Sequence, residues 1–183
     1  NSKNGRKFVS NLKNKITFGD YKLADIPKTC ISAIKAVKDL KLNYITIHIS
    51  SGLNAIRAAK KVAGSIKIIG VTILTSLDNK SLKEIGFEKK VGELVLRQAK
   101  LAAKAKLDAI VCSPHEIKIV KKVFKGEIIT PGIRLSSDKN DDQKRVMTPK
   151  QAIKNGADAL VIGRSITSGN IKNNIKKIIK ELK

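Results

Sequence analysis

Aromatic side chains make up only 3% of this 183-residue chain and tryptophan is absent, so its core cannot rest on large rings and must come from Ile, Leu, Val and Ala. That filling suits a parallel sheet wrapped in helices and points to an α/β protein. Cysteine is nearly absent as well. Cys30 and Cys112 stand far apart, in no CxxC or Cys/His ligand spacing, which argues against a disulfide framework and against zinc. Long apolar runs are missing: the longest, Ile68 to Leu74, is too short to cross a bilayer, and the N-terminus lacks the charged-then-apolar pattern of a secretion signal. The expectation is a cytoplasmic protein with no membrane partner. Arginine is scarce, at positions 6, 57, 97, 134, 145 and 164, although the formal net charge is +23. A nucleic-acid interface would cluster its Arg and interleave aromatics for stacking. Here the surplus is Lys scattered along every segment, so the charge is read as compositional bias and no nucleic-acid partner is expected.

What is present is a repeating pattern. The chain is 42% hydrophobic and 29% charged, the balance of one globular domain with a real core. Runs rich in Ile and Val recur near Ile16–Lys22, Tyr44–Ser50, Lys67–Thr75, Ala109–Ser113, Glu127–Pro131 and Ala159–Gly163 and read as strands. Segments with apolar residues three and four apart follow them, near Thr29–Leu40, Gly52–Ala63, Glu88–Ala105, Pro114–Phe124, Thr148–Asn155 and Ile171–Leu182, and read as helices. Asn1–Lys15, with Phe8, Val9 and Leu12 on one face, reads as a helix. Asp78 to Lys83 reads as a solvated helix start. Thr148-Pro149 places a capping hydroxyl before a first-turn proline, Gly156 is a C-terminal stop, and Pro114 is expected to open its helix in the same way. About six βα units result, in one domain over residues 1–183 that starts inside a repeat. Periodicity alone fits either an open doubly wound sheet or an incomplete (β/α)8 barrel.

Polar residues and glycines collect at the C-terminal ends of the strands, where both architectures bind ligands. Asp20 and Lys22 are two apart on a strand and are expected to point to one face; a DxK alone is more often a structural ion pair, but here Asp25-Ile26-Pro27 follows. Thr130-Pro131-Gly132-Ile133-Arg134 and Val161-Ile162-Gly163-Arg164-Ser165 offer glycine-freed N–H groups and planar guanidinium forks, a combination suited to phosphate. Tight turns alone explain those glycines equally well. The polar stretch Ser136 to Met147, containing Asp141-Asp142-Gln143-Lys144-Arg145, reads as a lid or binding loop that brings Gln143 over a ligand, with simple disorder as the competing reading. His48 reads as a rim or interior histidine and Cys112 as core.

The stretches DYKLADIP, TIHIS, VTILTS, IVCSPHE, ITPGIR, DDQKRVMTP and GADALVIGRSI together resemble the bacterial type of orotidine 5′-phosphate decarboxylase, in family order along nearly the whole chain. The resemblance implies a (β/α)8 TIM barrel acting as a homodimer, without metal or organic cofactor, on the small-molecule substrate orotidine 5′-phosphate. On that mapping Lys22 is the acid that protonates C6, Asp20 the carboxylate beside it, and Asp25 the residue that reaches into the neighbouring subunit's site. The segment Asp20, Tyr21, Lys22, Leu23, Ala24, Asp25, Ile26, Pro27, Lys28 and Thr29 maps onto the substrate-binding strand end. Thr75 maps onto the pyrimidine contact, and Arg134, Gln143, Gly163 and Arg164 onto the phosphate grip. The family barrel begins with two strands that have no counterpart here, carrying a substrate-contacting Asp and a Lys of the charge array, so the barrel is expected to be incomplete at its N-terminus. Lys28 stands at the family's usual Asn and Ala24 at a common His.

Other readings stay open, among them a basic RNA-associated protein, whose affinity would collapse as salt rises. Phosphosugar barrels such as hexulose-phosphate synthase and ketogulonate-phosphate decarboxylase share the Asp-x-Lys-x-x-Asp strand and use Mg2+; the DQKRVMTP stretch favours the orotidine enzyme. An inactive, nucleotide-binding remnant is another.

Overall fold

The computed structural model describes residues 3–12, 14–135 and 145–182. All six expected strands form, as β1 (Phe18–Leu23), β2 (Tyr44–His48), β3 (Lys67–Val71), β4 (Ala109–Val111), β5 (Glu127–Thr130) and β6 (Ala159–Leu160). They lie in one sheet in chain order, and each neighbouring pair is parallel. The helices are α1 (Lys3–Ser10), α2 (Pro27–Lys35), α3 (Gly52–Val62), α4 (Asn79–Glu84), α5 (Val91–Lys104), α6 (Ile117–Lys121), α7 (Pro149–Asn155), α8 (Arg164–Thr167) and α9 (Ile171–Leu182).

The sheet curls, and one hydrogen bond demonstrates it. Tyr44 on β2 donates its hydroxyl to Glu127 on β5 at 2.8 Å. Three strand intervals separate these residues in the sheet order, about 14 Å across a flat sheet. Lys67 on β3 pairs with the same carboxylate and sits 5.2 Å above the Tyr44 ring. These three residues open their strands, so they close the N-terminal end of a half-barrel.

Strand alternation then sorts the side chains. Ile45, Ile47, Ile68, Ile110 and Ile128 join the large core beneath the helices. Their alternates Ile69, Ala109 and Ile129, with Tyr44 and Val111, form a separate small cluster on the concave side. The same phase aims Thr46, Val71 and Val111 inward, toward the C-terminal strand ends.

Several boundaries differ from the sequence reading. β1 begins two residues late, and its pairing to β2 shifts register between Gly19 and Leu23. α2 starts earlier, with Pro27 in its first turn, and stops at Lys35 before a separate 3-10 turn at Lys38–Leu40. α5 starts only at Val91. α6 is much shorter than Pro114–Phe124: Pro114 lies in a turn closed by Glu116 N–H donating to the Ser113 carbonyl at 3.0 Å, and helix begins only at Ile117. The expected punctuation of α7 forms, with the Thr148 hydroxyl accepting from Gln151 N–H at 3.4 Å and Gly156 at φ 103°. Asp78 caps α4 by accepting from Ser81 N–H at 2.8 Å.

Candidate active site

Asp20 and Lys22 form an ion pair at the C-terminal end of β1. They do not meet by plain strand alternation. Lys22 sits at φ 45°, a left-handed conformation uncommon outside glycine, Asn and Asp, and lies within the stretch from Gly19 to Leu23 where the β1–β2 pairing bulges. Thr46 holds the bulge in place. Its buried hydroxyl accepts from Lys22 N–H at 2.8 Å and donates to Asp20 Oδ1 at 3.1 Å. The carboxylate is thereby fixed from two sides, by a hydroxyl and by an ammonium, before any ligand arrives. A strained backbone held by surrounding contacts is the kind of feature that collects at functional sites.

A cavity of about 270 Å³ opens beside this pair, lined by Asp20, Lys22, Phe18, Val71, Ile73, Leu74, Thr75, Val111, Cys112, Ser113, Pro131 and Val161. Its walls are mostly apolar and its charge comes from one Asp and one Lys, the composition expected of a small-molecule pocket with a few placed polar groups. His48, at the end of β2, has its pKa held below the ordinary histidine range by burial and by the nearby Lys22 charge, with Asp20 opposing. Burial pushes the Cys112 thiol well up, with Glu116 adding to the effect; it is an inert wall and belongs to the core, as expected.

The other expected site residues are distributed around this cavity. Thr75 lines it. Arg134 follows β5, is buried, and donates from Nη1 to the Ile133 carbonyl at 2.9 Å; Gly163 and Arg164 follow β6, with Gly163 capping α8. None of the three lines the cavity, though Pro131 and Val161 from the same two strand ends do. Asp25, Ala24, Ile26 and Pro27 line a different hollow with Ser50 and Ser51. Tyr21, Lys28 and Thr29 are exposed and Leu23 packs on the core. Gln143 lies outside the described residues.

A model of the family described as "Orotidine 5′-phosphate decarboxylase / HUMPS family" matches residues 2–178. The chain belongs to this family. Among the family's curated members, orotidine 5′-phosphate decarboxylase of Coxiella burnetii is 45% identical over 173 residues, covering 89% of this chain and 73% of that protein. The Buchnera aphidicola enzyme of the same name is 45% identical over 183 residues, covering 95% of this chain and 76% of its own length. A crystal structure of orotidine 5′-phosphate decarboxylase from Lactobacillus acidophilus superposes with a TM-score of 0.81 at 31% identity, covering 97% of this chain and 81% of that one. The half-barrel is thus the family fold.

Sequence reasoning missed two elements of the site. Thr46 lay inside the TIHIS stretch but drew no role, because its importance depends on a bulge in another strand. Glu116, in IVCSPHE, is buried and ion-paired to Arg145. The two are 29 residues apart, so no local spacing could reveal the pair.

Proposed function

We propose that this chain catalyses the cofactor-independent decarboxylation of orotidine 5′-phosphate to UMP in pyrimidine biosynthesis. The observation that carries the reading is the Asp20–Lys22 pair, locked by Thr46 at the mouth of a ring-sized cavity bordered by Thr75. The bond from C6 to the carboxylate breaks, CO2 departs, and the electron pair stays on C6. Lys22 stabilises that charge as it develops and then gives C6 a proton from its ammonium. Asp20 holds Lys22 in place through their ion pair, and its own charge faces the departing carboxylate. Thr75 contacts the pyrimidine. Arg134, Gly163, Arg164 and Gln143 hold the phosphate, whose binding energy is available to order the site far from the reacting bond.

The complete barrel has eight βα units, with two more strands joining β6 to β1. Ile16, just before β1 and 80% exposed, supports a surface that another element covers. The active unit is a homodimer with shared sites: Asp25 lines a hollow separate from the cavity of its own subunit, beside Ile26, which is 65% exposed, and in this reading it serves the partner's site. The protein works in the cytoplasm.

The test is the fall in orotidine 5′-phosphate absorbance, with EDTA present, for this chain and for Lys22→Ala. Turnover that survives EDTA and drops at least a thousandfold in Lys22→Ala, on the order of removing a principal transition-state charge, is the expected result. A requirement for Mg2+ would favour a phosphosugar lyase. No turnover and no UMP binding by the folded chain would sink the assignment.

A further inference from the structure

The guanidinium of Arg145 is held on two sides by different parts of the molecule. Its Nη1 pairs with Glu116, which follows β4. Its Nη2 donates to the Leu74 carbonyl at 2.8 Å and more weakly to the Ile73 carbonyl at 3.4 Å, both in the segment after β3. Glu116 is buried and Arg145 largely so, the side chains being 8% and 13% exposed. A buried ion pair is costly to desolvate and is weak evidence for stability in itself. This one has a second consequence, because Ile73, Leu74 and Thr75 form one wall of the Asp20–Lys22 cavity.

The backbone of the same segment reaches the opposite side of the site. Met147 N–H donates to the Gly132 carbonyl at 3.0 Å, and Arg134 N–H donates to the Met147 carbonyl at 3.1 Å. Met147 thus adds a bridge to the chain beyond β5, where Arg134 stands. From Arg145 one path runs through a planar fork to the Thr75 wall, and another runs two residues along the backbone to Arg134. Only a guanidinium presents two parallel donors in a fixed plane, so this connection is specific to Arg.

We propose that Arg145 is a positioning residue that sets the Ile73–Thr75 wall against the Asp20–Lys22 edge, and so places the base of the nucleotide relative to its phosphate. Glu116 orients Arg145 and does not itself meet the ligand. The inference rests on the reading of the cavity as the site of the pyrimidine, and it assigns a role to two residues outside the expected site.

Calorimetry with UMP and with ribose 5-phosphate tests it, on the wild-type chain, Arg145→Met and Arg145→Lys, with melting temperatures recorded alongside. Ribose 5-phosphate carries the phosphate and sugar but has no base to meet the wall. Arg145→Met is expected to weaken UMP about tenfold, the scale of one charge-assisted hydrogen bond, while leaving ribose 5-phosphate within about twofold. Arg145→Lys keeps a cation for Glu116 but has no fork for Leu74, so it is expected to recover the melting temperature and not the UMP affinity. Unchanged UMP binding in a folded Arg145→Met overturns the proposal. So do equal losses for both ligands, or recovery of UMP affinity in step with melting temperature in Arg145→Lys, since either means that Arg145 only stabilises the fold. If Arg145→Met does not fold, Arg145→Lys against wild type decides alone. A folded wild type that binds ribose 5-phosphate but not UMP overturns the pyrimidine reading, and the inference falls with it.

Discussion

Lys22 carries two unusual demands at one position: a left-handed backbone and a side chain locked to Asp20. Neither is stable alone, since a non-glycine residue at positive φ is strained and an exposed Lys–Asp pair contributes little. Thr46 resolves both with one hydroxyl, accepting from the strained residue's N–H and donating to the carboxylate. His48 completes the local electrostatics. Burial and Lys22 both disfavour its protonated form, so its folded pKa lies below its unfolded value, near 6.5 for a free histidine. The unfolded state therefore binds more protons in between. The contribution of His48 to stability is complete above about pH 6.5 and is lost as pH falls through the lower, folded value. Melting temperatures from pH 7.5 down to 4.5 are expected to fall less steeply for His48→Asn than for wild type, and parallel curves would refute the account.

At the scale of elements, the join between β4 and β5 is closely packed at the N-terminal end of the half-barrel. Asp108, just before β4, accepts from Lys60 Nζ at 2.6 and 2.7 Å and from Ile68 N–H at 2.7 Å, and its carbonyl accepts from Glu127 N–H at 3.0 Å. A Cβ on Gly126 would strike that carbonyl and come within 2.6 Å of the buried Phe124 ring. Because the obstacle is backbone, nothing nearby can yield cheaply, and Gly126→Ala is expected to destabilise by about 1–3 kcal/mol, read as a lower urea midpoint at unchanged m-value. The strands themselves were legible in the sequence because burial on both faces of a parallel sheet leaves continuous Ile and Val runs. Helix limits were less so. α8 spans four residues, too few to display a period, and Pro114 belongs to a turn whose closure depends on Ser113. Of the residues that line the cavity, Asp20, Lys22 and Thr75 stand out in the sequence, since motif and strand end coincide there. The bulge, the Thr46 clamp and the Glu116–Arg145 pair could not, because each is made by residues brought together from different βα units.

For the whole molecule, the question is how one subunit can hold Asp25 outside the cavity that contains Lys22. Along the chain the two are three residues apart, yet β1 ends between them, and Ile26 N–H donating to Asp25 Oδ1 at 2.7 Å turns that carboxylate into a separate hollow with Ser50 and Ser51. In a homodimer of two-fold symmetry the same patch serves both subunits, so each site would combine Lys22 of one chain with Asp25 of the other. This makes a quantitative demand. Lys22→Ala and Asp25→Asn homodimers each lack one essential group at both sites and are expected to be nearly inactive. Mixed after brief unfolding and refolded together, half of the dimers become heterodimers, in which one of the two sites has both groups intact. Activity should return to about a quarter of the wild-type value, as random pairing at an isologous interface requires. Assaying the mixture against its two components decides the matter: recovery near that level requires sharing of the site, whereas a mixture no more active than its components would place Asp25 in service of its own subunit or of none.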